Sequence, residues 1–187
     1  MGIAYEVPES ISAEEAAALG IAGHELAHAC VAMVFDRCLI VESVSIYRDA
    51  LGGIAVYWPK VTGDLESLVA AVSTSLAGER GYFMATGDAL RAVKSASVDY
   101  QSVEEHLAAW SLPPESADFV KSISGQVVET TLSDPTVWRS IAALIPRLVD
   151  QGTIDGADVE KSIRIPDRVR EAVRRLVAQV THRRLWG

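Results

Sequence analysis

The sequence predicts a mostly α-helical fold with one small β-hairpin or sheet. Three observations carry the prediction. Most segments place apolar residues at helical spacing between recognisable start and stop signals. One stretch only, Leu39 to Trp58, is rich in β-branched residues around a glycine turn. Hydrophobic residues make up 49% of 187 residues, which is ample for a packed core.

Taken in order, Ser12-Ala13-Glu14-Glu15 reads as a capping box that opens a helix over about 13–36, with a possible break at Gly20 or Gly23. Leu39 to Tyr47 alternates as a strand, Asp49 to Gly53 turns, and Ile54 to Trp58 returns, with Pro59 ending the strand or marking an edge. Asp64 to about Ala85 carries Leu65, Leu68, Val69, Val72 and Leu76 at helical spacing. Thr86 to Ser97 is looser. Val98 to Trp110 reads as a helix stopped by Pro113-Pro114, and Glu115 to Leu132 as another. Asp134 caps a helix from Pro135 to Asp150, with proline at its first position. Gly152 to Val159 is a turn into a short helix, and Pro166 to Leu185 a final basic helix.

Composition narrows the function. The N-terminus shows neither a basic segment nor an apolar stretch of leader type, and Glu6 disfavours myristoylation. No apolar run reaches the roughly 18 uncharged residues expected of a membrane span. Cys30 and Cys38 match no zinc or redox spacing and fit a reducing compartment, so the expected location is the cytoplasm. The net charge of −8 is uneven. Residues 1–160 carry 9 basic against 23 acidic residues, and residues 161–187 carry 8 against 2. The acidic body argues against nucleic acid as a partner. The basic last helix, with Arg168, Arg170, Arg174, Arg175, Arg183 and Arg184, either packs on that body or docks a protein partner or anionic surface.

His24-Glu25-Leu26-Ala27-His28 is an HExxH run. On a helix, residues four apart lie about 6 Å apart along the axis and on one face, so both imidazoles reach one Zn²⁺. Glu25 leaves the helix about 100° further round. There it flanks the metal without ligating it, placed as a general base toward water. The surrounding helix is apolar, and an imidazole and carboxylate cluster buried there needs a compensating partner. Val31 and Val34 break the extended HExxHxxGxxH pattern, so the third ligand must come from elsewhere: Asp99, Glu104, Glu105, His106, Glu42 or Glu79. Asp99 sits at a loop-to-helix junction, where it would either ligate or cap the helix that follows.

At this point the chain resembles the peptidase domain of the FtsH-type ATP-dependent zinc proteases. His24 to Ala29 (HELAHA) resembles that family's HEAGHA. Ser43 to Trp58 is similar to its strand pair with a glycine turn. Leu76-Ala77-Gly78 is similar to a Leu-Ala-Gly run on its next helix, and Ser95 to Asp99 (SASVD) to its GASND loop. Gly152 to Val159 looks like the turn before its last short helix. The resemblance covers residues 12–163. It implies a zinc peptidase domain over residues 1–165 with a basic extension at 166–187. It also implies Asp99 as third ligand and Gly53, Ile54, Ala55 and Val56 as an edge that pairs with an extended polypeptide substrate. Leu26-Ala27 and Glu79 to Tyr82 depart from the family pattern. The sequence has no phosphate-binding GxxxxGK[ST], so the expectation is a free-standing, ATP-independent domain. Two other readings stand beside it. One is a metal-binding or regulatory relative acting through protein–protein contacts; the other is a different zincin with another third ligand.

Overall fold

A computed structural model describes residues 12–47, 52–60 and 63–182. The fold is mostly helical with a small antiparallel sheet, as the periodicity predicts. Among the described residues it has eight helices: α1 (Ala13–Val34), α2 (Leu65–Thr86), α3 (Ala89–Ser95), α4 (Ser97–Ala109), α5 (Pro114–Leu132), α6 (Pro135–Gln151), α7 (Gly156–Ser162) and α8 (Asp167–Thr181). Three strands, β1 (Leu39–Tyr47), β2 (Gly52–Pro59) and β3 (Thr153–Asp155), pair in the order β2-β1-β3.

The capping box is present. Ser12 Oγ accepts from the Glu15 backbone N–H at 3.2 Å, and the Glu15 carboxylate accepts from the Ser12 backbone N–H at 2.8 Å. The helix it starts runs unbroken through Gly20 and Gly23. These glycines serve packing instead of a kink. A Cβ on Gly23 would come within 2.9 Å of the Gly81 carbonyl oxygen, so α1 and α2 approach backbone to backbone. α1 is the central element, packed by α2, α6 and the sheet. By length and composition it is the one described helix apolar enough to cross a membrane, yet 78% of that stretch is buried by the rest of the chain.

β1 is the middle strand. A bulge between Val41 and Ser43 shifts its alternation by one residue. Leu39 and Val41 before it, and Val44 and Ile46 after it, therefore all face the core despite their odd and even numbering. The segment after Gly152 pairs with Ser43 to Ser45 as β3, where the sequence shows only a turn. Three residues are too short to reveal alternation. The looser stretch after Thr86 contains α3, whose N-cap Asp88 accepts from the Arg91 N–H at 3.0 Å. The expected turn at Asp49 to Leu51, the N-terminal segment, and Arg183 to Trp186 lie outside the described residues.

α8 packs on α5 and α2, and its stripe of Val169, Val173, Val177 and Val180 joins the common core. Its arginines tie it down. Arg168 meets the Asp134 carboxylate at 2.7 Å, at the start of α6. Arg170 donates to the Met33 carbonyl at 3.0 Å and meets Asp36 at 3.2 Å, at the end of α1. Cations there satisfy helix C-terminal carbonyls. Arg174 and Arg175 pair with Glu171 on their own helix.

Candidate metal centre

α1 presents His24, Glu25 and His28 on the buried side facing α2, β2 and α4. All three are nearly inaccessible, at 6%, 7% and 6% exposure, and their ligating atoms lie within 4.8 Å of one another. The two Nε2 atoms stand 3.0 Å apart. Asp99 arrives from the first turn of α4, with Oδ2 at 3.1 Å from His24 Nε2 and Oδ1 at 3.4 Å from His28 Nε2. The cap of α4 is Ala96, without a side-chain cap bond, so Asp99 is not spent on capping.

Protonation follows from the outer partners. His28 Nδ1 lies 2.6 Å from the Thr74 carbonyl oxygen, which can only accept, so Nδ1 carries the proton. Ser95 Oγ donates to the Ala92 carbonyl at 2.8 Å and therefore accepts from His24 Nδ1 at 3.3 Å. Both Nε2 lone pairs thus point at each other and at a carboxylate. Three acceptors converge with no donor between them, and Asp99 Oδ2 is buried without a hydrogen-bond partner. A cation or a proton at its centre would relieve such a cluster, so these residues could hold a metal. Ligand atoms about 2.0–2.2 Å from a tetrahedral ion stand about 3.3–3.6 Å apart, within a few tenths of an ångström of the spacings here.

Without a metal, protons fill the gap. Burial opposes charge on His28, but the Asp99 hydrogen bond and charge outweigh it and raise its pKa. Burial likewise opposes ionised Asp99, yet with His24 and His28 protonated the two imidazoles beside it hold it far below the usual carboxylate range. Glu25 differs. Burial raises its pKa, and the His28 and His24 charges and the Ala55 backbone N–H only partly offset that.

The floor and one wall are glycine. A Cβ on Gly78 of α2 would lie 2.6 Å from His28 Nε2 and nearer still to His24. A Cβ on Gly53 of β2 would lie 2.6 Å from Glu25 Cγ and 2.8 Å from the Ser45 carbonyl oxygen. The centre opens into a cleft of about 550 Å³, with Gly53, Ile54 and Ala55 along one side and Val98, Ser102 and His106 of α4 along the other. Val56 faces Ser43 in the ladder and lies outside the cleft lining.

The remaining candidate ligands are engaged elsewhere. Glu104 pairs with Lys121 at 2.8 Å, Glu105 accepts from Gln101, Glu42 from Trp58 and Glu79 from Tyr100. His106 lines the cleft away from the centre. We expect Asp99→Ala to abolish tight metal binding, whereas Glu104→Ala, Glu105→Ala and His106→Ala retain it, as read by titration against a chromogenic chelator. Full affinity in Asp99→Ala would overturn the assignment of the third ligand.

Thr74, Ser75 and Tyr57 also belong to the site without being singled out in the sequence, and Ser95, noted there as the first residue of the SASVD run, is given no role of its own. Nothing in their local pattern marks them. Gly78 did leave a signal, since a glycine inside a helix costs about 1 kcal/mol relative to alanine and calls for a packing reason. No protein-family model matches the chain, and no curated protein is a significant match to it.

Proposed function

We propose that the chain is a zinc-dependent endopeptidase acting on unfolded or flexible polypeptides, with His24, His28 and Asp99 as ligands and Glu25 as general base. The observation that carries this reading is the buried convergence of two Nε2 lone pairs and one carboxylate, with a second carboxylate held just outside it beside a sheet edge. Two imidazoles plus one carboxylate form a donor set suited to catalytic zinc with an open position. The same set suits non-haem iron, so elemental analysis of purified protein distinguishes the two. About one zinc per chain is the expected result. The ordered resemblance described above supports the same conclusion.

Bound there, zinc would supply Lewis acidity and lower the pKa of a coordinated water toward about 7. The chain does the rest. Thr74 and Ser95 fix both imidazole tautomers. Glu25, made more basic than an exposed carboxylate by burial, takes a proton from the attacking water. It then delivers that proton to the leaving amide nitrogen. Ala55 N–H donates to Glu25 and fixes its carboxylate against β2.

β2 pairs only with β1 among the described strands, so its other edge is free to align an extended chain past Glu25. A folded substrate has its main-chain groups already satisfied, and opening it globally costs about 5–15 kcal/mol. No nucleotide-binding motif in this sequence supplies that work. The purified chain is therefore expected to cleave a permanently unfolded protein and the disordered tail of a tagged domain. It should spare the stable untagged domain and be indifferent to ATP. Degradation of the untagged domain, or dependence on ATP, would overturn the substrate class. No cleavage of any substrate by the zinc-loaded protein would overturn the peptidase reading.

A further inference from the structure

When water adds to a peptide carbonyl, the carbon–oxygen π pair moves onto the carbonyl oxygen, and that oxygen needs hydrogen-bond donors in a water-poor cleft. The cleft offers few. Glu25 and Asp99 are carboxylates and only accept. His24 and His28 are committed to the centre through Nε2 and to Ser95 and Thr74 through Nδ1. Ser95 donates to the Ala92 carbonyl, and Ser102 donates to the Val98 carbonyl at 3.1 Å. Among the lining side chains, Tyr57, its hydrogen-bond partner Ser75, and His106 remain.

Their surroundings separate them. His106 stands two turns along α4 from Asp99, about 10 Å further down the helix axis. Tyr57 lines the same cleft as Asp99 and Glu25. A phenol ordinarily has a pKa of about 10, so at neutral pH it carries its proton and can donate. Ser75, buried on α2 one residue after Thr74, is hydrogen-bonded to the phenol. The same turn of α2 thereby positions His28 and Tyr57. Tyr57 is also on the edge strand, two residues beyond Ala55, and by alternation it shares the face of β2 on which Gly53 meets Glu25.

We propose that Tyr57 is a catalytic hydrogen-bond donor to the carbonyl oxygen of the scissile peptide bond, positioned by Ser75. The proposal rests on the peptidase reading above. Tyr57 transfers no proton. The water oxygen bonds to the carbonyl carbon, Glu25 takes the water proton, and the phenol O–H donates to the oxygen that gains charge. When the carbon–nitrogen bond breaks, the pair returns to the carbonyl, and the proton on Glu25 goes to nitrogen.

The test is Tyr57→Phe in the zinc-loaded full chain. Removing one such donor should lower kcat by about 10²–10³-fold. KM should stay within about twofold, and zinc content should be unchanged. A phosphinic peptide, whose tetrahedral P–O⁻ mimics the charged oxygen, should lose affinity by a similar factor in calorimetry. The parent carbonyl peptide should bind Glu25→Gln equally well with and without Tyr57→Phe. Because removing the hydroxyl could disturb packing, two further replacements at position 57 complete the set. p-Aminophenylalanine keeps an N–H donor and should recover much of kcat; p-methylphenylalanine has similar bulk and no donor and should not. Tyr57→Phe with kcat near wild type, or equal kcat for the amino and methyl replacements, overturns the role of Tyr57 and leaves the peptidase standing. A wild-type protein that hydrolyses nothing and binds the phosphinic peptide no better than its parent overturns both.

Discussion

Glu25→Gln is expected to lower the rate of peptide hydrolysis by about 10²–10⁴-fold, the usual worth of a general base, while zinc stays bound. The glutamine carbonyl oxygen still accepts from Ala55 N–H, and its shape still fits against Gly53. Only proton acceptance is lost. His24, His28 and Asp99 meet one another without help from Glu25, so zinc content should not change. Burial chiefly, and the like charge of Asp99 in addition, disfavour the ionised carboxylate there. Neutralising it therefore should not lower the melting temperature. Turnover close to wild type would show that Glu25 is not the base. Parallel loss of zinc and activity would make it a ligand.

Gly78→Ala should damage the centre from beneath. The added methyl would lie 2.6 Å from His28 Nε2 and closer to His24, below any ordinary carbon contact. His28 cannot retreat, because Nδ1 is held by Thr74 on the same helix as Gly78. Overpacking a tight site costs about 1–3 kcal/mol. At about 1.4 kcal/mol per tenfold, zinc affinity should fall about 5–150-fold. Alanine is at the same time the better helix former by about 1 kcal/mol, so the metal-free protein should lose less stability than the zinc-loaded one. Competition with a chelator and melting curves with and without zinc would measure the two effects. Unchanged zinc affinity would mean that the imidazoles do not close on α2 as described.

Periodicity made most of the helices legible, because each buries a stripe whose spacing is written locally, and Ser12, Asp64 and Asp134 mark their starts with side chains that accept from backbone N–H groups one turn on. β3 and α3 are shorter than the windows in which a period shows, so pairing with β1 and packing on α2 define them instead. The bulge in β1 explains why Leu39, Val41, Val44 and Ile46 can share one face, which strict alternation forbids.

By itself, the sequence determined the one-turn spacing of His24 and His28 and the place of Glu25 beside them, since helix geometry alone sets both. It also singled out Asp99, but left it among six candidates until a resemblance favoured it. Only the tertiary structure brought Asp99 within 3.1 Å of His24 across 75 residues of chain, and sent the other acidic candidates to other partners. It likewise decided that Gly53 faces Glu25, that Gly78 lies under the imidazoles, and that Tyr57 and Ser75 share the cleft. These relations depend on where α2, β2 and α4 dock on α1. Docking is set by the packing of many side chains and by the close approach of Gly23 and Gly81, and no local pattern of residues records it.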